Sequence, residues 1–265
     1  PVFYWVYYGW HHSKLDPAAI DFAGGTAIHI NAGVASLALV LVLGKRVGWP
    51  STAMPPHNLP FVMLGAGILW FGWFGFNGGS AFAADGVAAQ AVLNTFVAGA
   101  AGMIAWLLIE RIRDGHATTL GGASGVVAGL VAITPAAGFV GGLSPIIFGS
   151  LASVCCYYAI QLKTRYGYDD SLDVVGIHMV GGIVGGLLLG FFADASIGGV
   201  DGAFFGDAAL VVSQLIAIVS VIAFSFVVTF AIAKVLDNVI GIRVSDDDEV
   251  AGLDQTQHAE TAYVD

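Results

Sequence analysis

The sequence predicts an all-α polytopic membrane protein. Of its 265 residues, 57% are hydrophobic and only 11% are charged, whereas soluble domains carry about 25% charged residues. The apolar residues form long runs without a charged side chain, and each run offers the ~20 residues that a helix needs to cross a bilayer. This composition excludes a secreted disulfide scaffold, a disordered chain and a nucleic-acid-binding protein.

Charge-free runs predict seven complete spans. Residues 116–162 are too many for one helix, and Pro135 with the glycine-rich segment 138–145 divides them into two. The apolar stretch 2–10 resembles the end of an earlier span, so we expect the chain to be a fragment that lacks N-terminal helices. The seven predicted spans cover residues 22–44, 54–84, 86–109, two helices within 116–162, 174–193 and 208–233.

Basic residues predict the orientation of these spans. Eight Lys and Arg residues follow the odd-numbered spans, and alternation of direction therefore places them on one side, which the positive-inside rule makes cytoplasmic. They are Lys45, Arg46, Arg111, Arg113, Lys163, Arg165, Lys234 and Arg243. We expect a transmembrane domain over residues 1–240 in the cell membrane and a cytoplasmic tail over residues 241–265. The acidic cluster at 246–249 is typical of a solvated, partly disordered tail.

Two histidines lie inside predicted spans, where an ionisable side chain is costly to bury and therefore often functional. His29 lies in the first span and His178 in the sixth. A carboxylate precedes the first histidine by eight residues and the second by five, and a glycine follows each by four. These flanking residues are Asp21 and Gly33 in the first span and Asp173 and Gly182 in the sixth. Because the two spans run in opposite directions, the pattern predicts an inverted repeat with a site where the repeats meet.

Several chemistries are open to such a histidine pair. A neutral imidazole has one hydrogen-bond donor and one acceptor, so two of them in an apolar lumen can pass a small neutral polar molecule or relay protons. The pair could instead ligate haem or a metal, although a metal site needs three or four ligands. Two unrelated histidines, each satisfied by a helix carbonyl, would carry no function.

An aromatic stretch closes the second span, where residues 70–80 read WFGWFGFNGGS. As an interfacial belt, the rings would anchor the helix at the membrane surface. As a vestibule, the rings and the Ser80 hydroxyl would bind a small cation through cation–π attraction and hydrogen bonds. Phe76 would then act as a hydrophobic gate that strips water from the cation or blocks ions.

Several motifs resemble the ammonium transporter (Amt/Mep/Rh) family, and specifically its Amt branch. The loop before the second span and the C-terminal tail are also similar to that family, so the resemblance covers nearly the whole chain. The motifs are DFAGGTAIHINA from Asp21, GWFGFNGGS from Gly72, Thr134-Pro135, DVVGIH from Asp173, PHNLP from Pro56 and GLD from Gly252.

The resemblance implies a fold of eleven helices, arranged as two inverted five-helix repeats with a last helix at the side. This chain would supply helices five to eleven. It also implies a homotrimer with a pore in each subunit, which transports ammonium without a cofactor or a metal. Ammonium would be recruited in an outer vestibule near Ser80, pass Phe76 and lose a proton, and ammonia would cross past His29 and His178.

Supporting roles follow from the same resemblance. Asp21 would be a buried carboxylate that supports the recruitment site, and Asp173 would support the second histidine. Trp73, Asn77 and Thr134 would shape the vestibule and the pore. The tail implies a PII-type signalling protein that docks on the cytoplasmic face.

The family usually has a vestibule tryptophan a dozen residues before the aspartate, and this sequence departs from that pattern. Gly9 stands at that distance here, beside Trp10. Two other functions remain open from the sequence. One is an ammonium sensor that signals through its tail, and the other is a bis-histidine haem or metal protein of the membrane.

Overall fold

A computed structural model describes residues 15–261, and over this range the chain is all-helical. Six helices are long and apolar enough to cross a membrane, one of them with its short continuation Leu162–Tyr166, and the helix Thr119–Ile133 is apolar but shorter. This confirms the predicted fold class, while the stretch 2–10 lies outside the described residues. The helices are α1 Gly25–Leu43, α2 Leu59–Gly79, α3 Gly86–Arg113, α4 Thr119–Ile133, α5 Ser144–Ile160, α6 Val175–Phe192 and α7 Ala209–Ile240.

The bounds of the second, third and seventh helices differ by four residues or more from the charge-free runs. The second helix begins only at Leu59, because the Asn58 side chain accepts a hydrogen bond from the Phe61 N–H and so caps the helix start. The seventh helix continues from the predicted end at residue 233 to Ile240. Lys234 and Asp237 form an ion pair of 3.8 Å along that last stretch, so opposite charges three residues apart extend the helix beyond its apolar run.

Glycines bring the central helices into backbone contact. A Cβ atom at Gly129 of α4 or at Gly149 of α5 would collide with the carbonyl oxygen of Ala98 in α3. A Cβ at Gly102 of α3 would likewise collide with the carbonyl oxygen of Gly125. These helices therefore pack in the small-residue manner that is typical of membrane bundles.

The helices α1 and α6 cross in opposite directions. Arg46, just after the end of α1, binds Asp169, just before the start of α6, through Nε at 2.8 Å and Nη2 at 2.7 Å. The backbone N–H of Arg46 also donates to the same carboxylate at 2.9 Å. Asp169 is only 6% exposed, whereas the Arg46 side chain is 37% exposed, so this bidentate pair joins the two helix ends at the edge of the protein interior.

The described part of the tail, residues 241–261, is partly helical, where the sequence predicted partial disorder. Short helices span Asp246–Ala251 and Leu253–His258. Glu249 pairs with Arg243 at 2.5 Å and accepts a hydrogen bond from the Val47 N–H at 2.8 Å. The acidic cluster forms the first turn of a helix that Ser245 caps, where negative side chains favour the helix dipole. The acidic run is therefore a helix start with a basic partner, which its charge alone did not indicate.

The Arg46–Asp169 pair predicts a pH dependence of stability. Burial alone would raise the pKa of Asp169, but the hydrogen bonds and the charge of Arg46 outweigh it and lower that pKa. Such a carboxylate stabilises the fold above its unfolded-state pKa of about 3.9, and the contribution is lost as the pH falls through the lower folded value. We expect Asp169→Asn to lower the melting temperature at pH 7, and the difference from wild type to shrink below about pH 4.

Thermal unfolding of the purified protein in detergent, in pH steps from 7 to 3, measures this difference. Asp237→Asn is the matched control, because Asp237 makes only the longer, more exposed pair with Lys234. A melting-temperature difference for Asp169→Asn that stays constant down to pH 3 would contradict the assignment.

Candidate functional site

The structure brings together two histidines that are 149 residues apart in the chain. The Nδ1 atoms of His29 and His178 lie 3.4 Å from each other, and the ring centroids lie 5.4 Å apart. His29 is 5% exposed, and its Nε2 atom is buried without a hydrogen-bond partner among the described residues. Because a neutral imidazole offers one donor and one acceptor, one ring can donate to the other and leave an outer nitrogen for a third molecule.

Each histidine lies in a π-helical turn at the start of its helix. These turns span Gly25–Ile30 in α1 and Val175–Met179 in α6. In the first, the carbonyl of Gly24 accepts hydrogen bonds from both Ile28 N–H and His29 N–H. A π-turn holds more residues than an α-turn and changes the direction of the side chain it carries, and such turns are frequent at functional sites.

Asp21 caps the first π-turn. Its carboxylate is fully buried and accepts hydrogen bonds from three backbone N–H groups, at 3.0 to 3.2 Å. The donors are Gly24, Thr26 and Ala27. These N–H groups have no partner within the helix and would otherwise be buried unpaired. The carboxylate that the sequence singled out therefore holds the helix start that carries His29.

Asp170, which the sequence analysis missed, has the same place in the second π-turn. It is 3% exposed and accepts hydrogen bonds from the N–H groups of Val174 and Val175, at 3.1 and 2.8 Å. It stands eight residues before His178, the same spacing as Asp21 before His29. That shared spacing was the signal in the sequence that could have identified Asp170.

Asp173 has a different place from the one that the sequence pattern suggested. Its carboxylate pairs with Lys163 at 2.5 Å and does not cap the helix start. Its backbone is left-handed, with a φ of 57°, and Gly24 has a φ of 95° at the equivalent position five residues before His29. Asp173 therefore corresponds to Gly24, since aspartate is one of the few residues that tolerate this conformation.

The two glycines after the histidines complete the inverted arrangement. A Cβ at Gly33 would collide with the backbone of Met179, the residue after His178. A Cβ at Gly182 would lie 2.7 Å from the side chain of Ile30, the residue after His29. Each glycine thus admits the neighbour of the opposite histidine, and the two rings can meet only because both glycines lack a side chain.

Aromatic rings from α2 cover His29. The indole of Trp73 stacks on the imidazole, with centroids 5.1 Å apart and planes at 23°. The Trp73 Nε1–H donates to the Thr134 hydroxyl at 3.0 Å, which fixes the indole in place. The ring of Phe76 meets His29 edge-on at 6.0 Å and is 36% exposed. The structure therefore joins three predicted site residues to the first histidine.

Ser80 and Asn77 lie on the same helix as these rings. The Ser80 hydroxyl donates to the Phe76 carbonyl at 2.8 Å, so its oxygen lone pairs are left to accept. Asn77 is fully buried and donates to the Thr95 hydroxyl at 2.9 Å, and its Oδ1 atom has no partner among the described residues. Thr95 is a contact that no sequence motif indicated.

The arrangement suits a small polar molecule. Within residues 15–261, no group of three or more His, Cys, Asp or Glu side chains is placed to hold a metal ion. A ring face at Trp73 can attract a cation, and the imidazole nitrogens beyond it can hydrogen-bond a neutral molecule.

Comparison with known proteins adds independent findings. The family model described as Ammonium Transporter Family matches residues 1–263. An ammonium transporter of Mycobacterium tuberculosis is 51% identical over 99% of this chain and 58% of its own length. The ammonium transporter of Bacillus subtilis is 47% identical over 100% of this chain and 65% of its own length. The chain thus spans less than two thirds of these relatives.

Solved structures share the fold. The crystal structure of Candida albicans Mep2 superposes with a TM-score of 0.86 at 37% sequence identity. The superposition covers 93% of this chain and 57% of the Mep2 chain.

Substitution of the two aspartates near His178 should lower the stability of the fold by different amounts. Asp170→Asn replaces a buried acceptor by an amide group that cannot accept both N–H bonds, so we expect about 1–2 kcal/mol of lost stability. Asp173→Asn is the matched control, because asparagine also tolerates a left-handed backbone and a partly exposed ion pair contributes little. Melting temperatures in detergent measure both, and an equal loss in the two variants would contradict the assignment of Asp170 as the cap.

Proposed function

The chain belongs to the ammonium transporter family, and from this premise we propose that the protein moves ammonium across the cell membrane and conducts it as ammonia past His29 and His178. The contact of the two imidazoles at 3.4 Å is the observation that carries this proposal. Both rings come from helices of a chain with at least six apolar helices of membrane-spanning length. The curated relatives are named as ammonium transporters, which favours transport over the sensor and haem alternatives.

Recruitment is assigned to the end of α2. Ser80 lies one helical turn beyond Phe76, and Phe76 in turn contacts both Trp73 and His29. An ammonium ion would meet the Ser80 oxygen and the aromatic faces, which replace part of its hydration through hydrogen bonding and cation–π attraction. The half-exposed ring of Phe76 would then separate this vestibule from the histidines.

Proton loss follows from the cost of burying a charge. An isolated cation in an apolar interior loses far more solvation energy than a neutral molecule of the same size. Ammonia keeps its hydrogen bonds by passing the imidazole nitrogens, and the unpartnered Nε2 of His29 is one such atom. Asp21 supports the site indirectly in this scheme, since its oxygens hold the N–H groups at the start of α1.

The assembly is part of the proposal. Apolar side chains along α2 are exposed in this chain, among them Phe61, Leu64, Ile68 and Phe71, which range from 60% to 77%. Further helices of a longer protein, a lipid bilayer and neighbouring subunits of a homotrimer would cover such a face. With the basic face in the cytoplasm, the ordered tail would lie where a PII-type signalling protein could dock.

Proteoliposomes test the proposed function. The full-length protein is reconstituted, an ammonium gradient is applied, and transient current and internal pH are recorded together. We expect ammonium-dependent flux, and His29→Ala or His178→Ala should change its rate or its selectivity against methylammonium by roughly tenfold, the effect of about 1.4 kcal/mol on a barrier.

His116→Ala is the matched control, because His116 is exposed and, within residues 15–261, its ring hydrogen-bonds to the Asp114 carbonyl in the same loop. Its flux should equal that of wild type. An absence of flux from well-folded wild-type protein would refute transport, and equal losses of folding and flux in both pore variants would refute the role of the histidines.

A further inference from the structure

A buried amide in α7 holds the irregular segment that precedes α1. The Ile20 N–H donates to Gln214 Oε1 at 2.8 Å, and Gln214 Nε2–H donates back to the Ile20 carbonyl at 2.9 Å. A further contact joins Nε2 to the Gly186 carbonyl of α6 at 3.4 Å. A side-chain amide that bonds both the N–H and the C=O of one residue fixes that peptide in position and in orientation.

Ile20 is the residue before Asp21, so the clamp acts where the first cap begins. On the other side of Asp21, the N–H groups of Phe22 and Ala23 donate to the carbonyls of Pro135 and Thr134, at 2.9 and 3.2 Å. Asp21 is thus held between a contact with α7 and a contact with the segment that follows α4. That segment also carries the Thr134 hydroxyl, which receives the Trp73 indole.

Packing alone gives no reason for an amide at position 214. The inward residues Leu210, Ala217 and Ile218 of α7 are apolar and buried, and the buried Ser213 donates to the Pro17 carbonyl of the same preceding segment at 2.6 Å. Gln214 is 1% exposed, and a buried amide costs free energy unless its donor and acceptor are paired. Here both are paired with the backbone of Ile20. Position 214 therefore serves the placement of that backbone, whereas a leucine would serve the helix contact equally well.

We propose that Gln214 is a positioning residue for substrate recruitment, which acts through Ile20 on Asp21 and so sets the affinity for ammonium. This inference rests on the proposed transport function. The helix α7 would thus contribute a positioning residue to the site, whereas the rings described around the two histidines belong to α1, α2 and α6. The expected signature is a change in apparent KM that exceeds any change in maximal flux, because the segment held at Ile20 bonds through Ala23 to the Thr134 backbone, and the Thr134 hydroxyl fixes the Trp73 ring that would bind the cation.

Two variants and a matched control test the clamp in the full-length protein. Gln214→Leu removes both bonds to Ile20, and Gln214→Glu keeps an acceptor for the Ile20 N–H while it loses the donor to the carbonyl. Ser220→Ala is the control on the same helix, because the Ser220 hydroxyl bonds only to the Ile216 carbonyl one turn earlier. Ammonium flux is measured against ammonium concentration and normalised to folded protein.

We expect the apparent KM to rise about fivefold or more in Gln214→Leu, less in Gln214→Glu, and not in Ser220→Ala, because removal of one partner leaves a partly buried backbone group of Ile20 unpaired. Maximal flux should stay within about twofold of wild type. A merely structural role would lower the amount of folded protein and the maximal flux, and would leave KM unchanged.

In an Asp21→Asn background, Gln214→Leu should have no further effect on KM, because residues that act in series are not additive.

Different results would overturn the positioning role of Gln214 and the transport function. Wild-type flux with an unchanged KM in both Gln214 variants would overturn the positioning role and leave the transport function intact. Flux that is absent in folded wild-type protein would overturn the transport function. If Gln214→Leu does not fold, Gln214→Glu decides the question. Hydrogen exchange gives a readout that does not depend on flux. The backbone amides of residues 20–27 should exchange faster in Gln214→Glu than in wild type, while those of residues 31–43 keep their wild-type rates. The same change in both segments, or no change in either, would overturn the clamp.

Discussion

The close crossing of α1 and α6 is the contact on which the rest of the structure depends. The two imidazoles meet only because Gly33 admits the backbone of Met179 and Gly182 admits Ile30. Both helices must also begin within the protein interior, where unpaired backbone N–H groups would be costly. The buried carboxylates Asp21 and Asp170 accept hydrogen bonds from those groups, so the backbone at both helix starts is paired.

Two buried side-chain amides in helices bond to segments of the chain that are not helical. Asn94 in α3 donates to the carbonyls of Ala137 and Val140, at 2.8 and 2.7 Å, and so holds the segment after α4. Gln214 does the same for the segment before α1. Irregular backbone within a membrane protein needs such partners because no water is available to replace them. The amides of α3 and α7 thus serve segments far from them in the chain.

The sequence could predict the elements that depend on local composition. Charge-free runs predicted the helices, and the cost of a buried histidine pointed to His29 and His178. The sequence alone could not identify Gln214, because its partner Ile20 is 194 residues away. A single glutamine in an apolar helix also forms no pattern that indicates a role. Asp173 was named and Asp170 was missed, although Asp170 precedes His178 by the same eight residues that separate Asp21 from His29; the folded backbone then shows that Asp170 reaches the N–H groups. The tail was predicted from its charge alone, without the partner Arg243.

Solid-state nuclear magnetic resonance of the histidine ring nitrogens tests the central claim most directly. The full-length protein, labelled with ¹⁵N-histidine and placed in bilayers, should show one protonated and one unprotonated Nδ1 joined by a hydrogen bond between His29 and His178. Added ammonium should shift the ring signals of both residues together. Two histidines that titrate and shift independently, with no coupling between their Nδ1 atoms, would contradict a paired-imidazole pore.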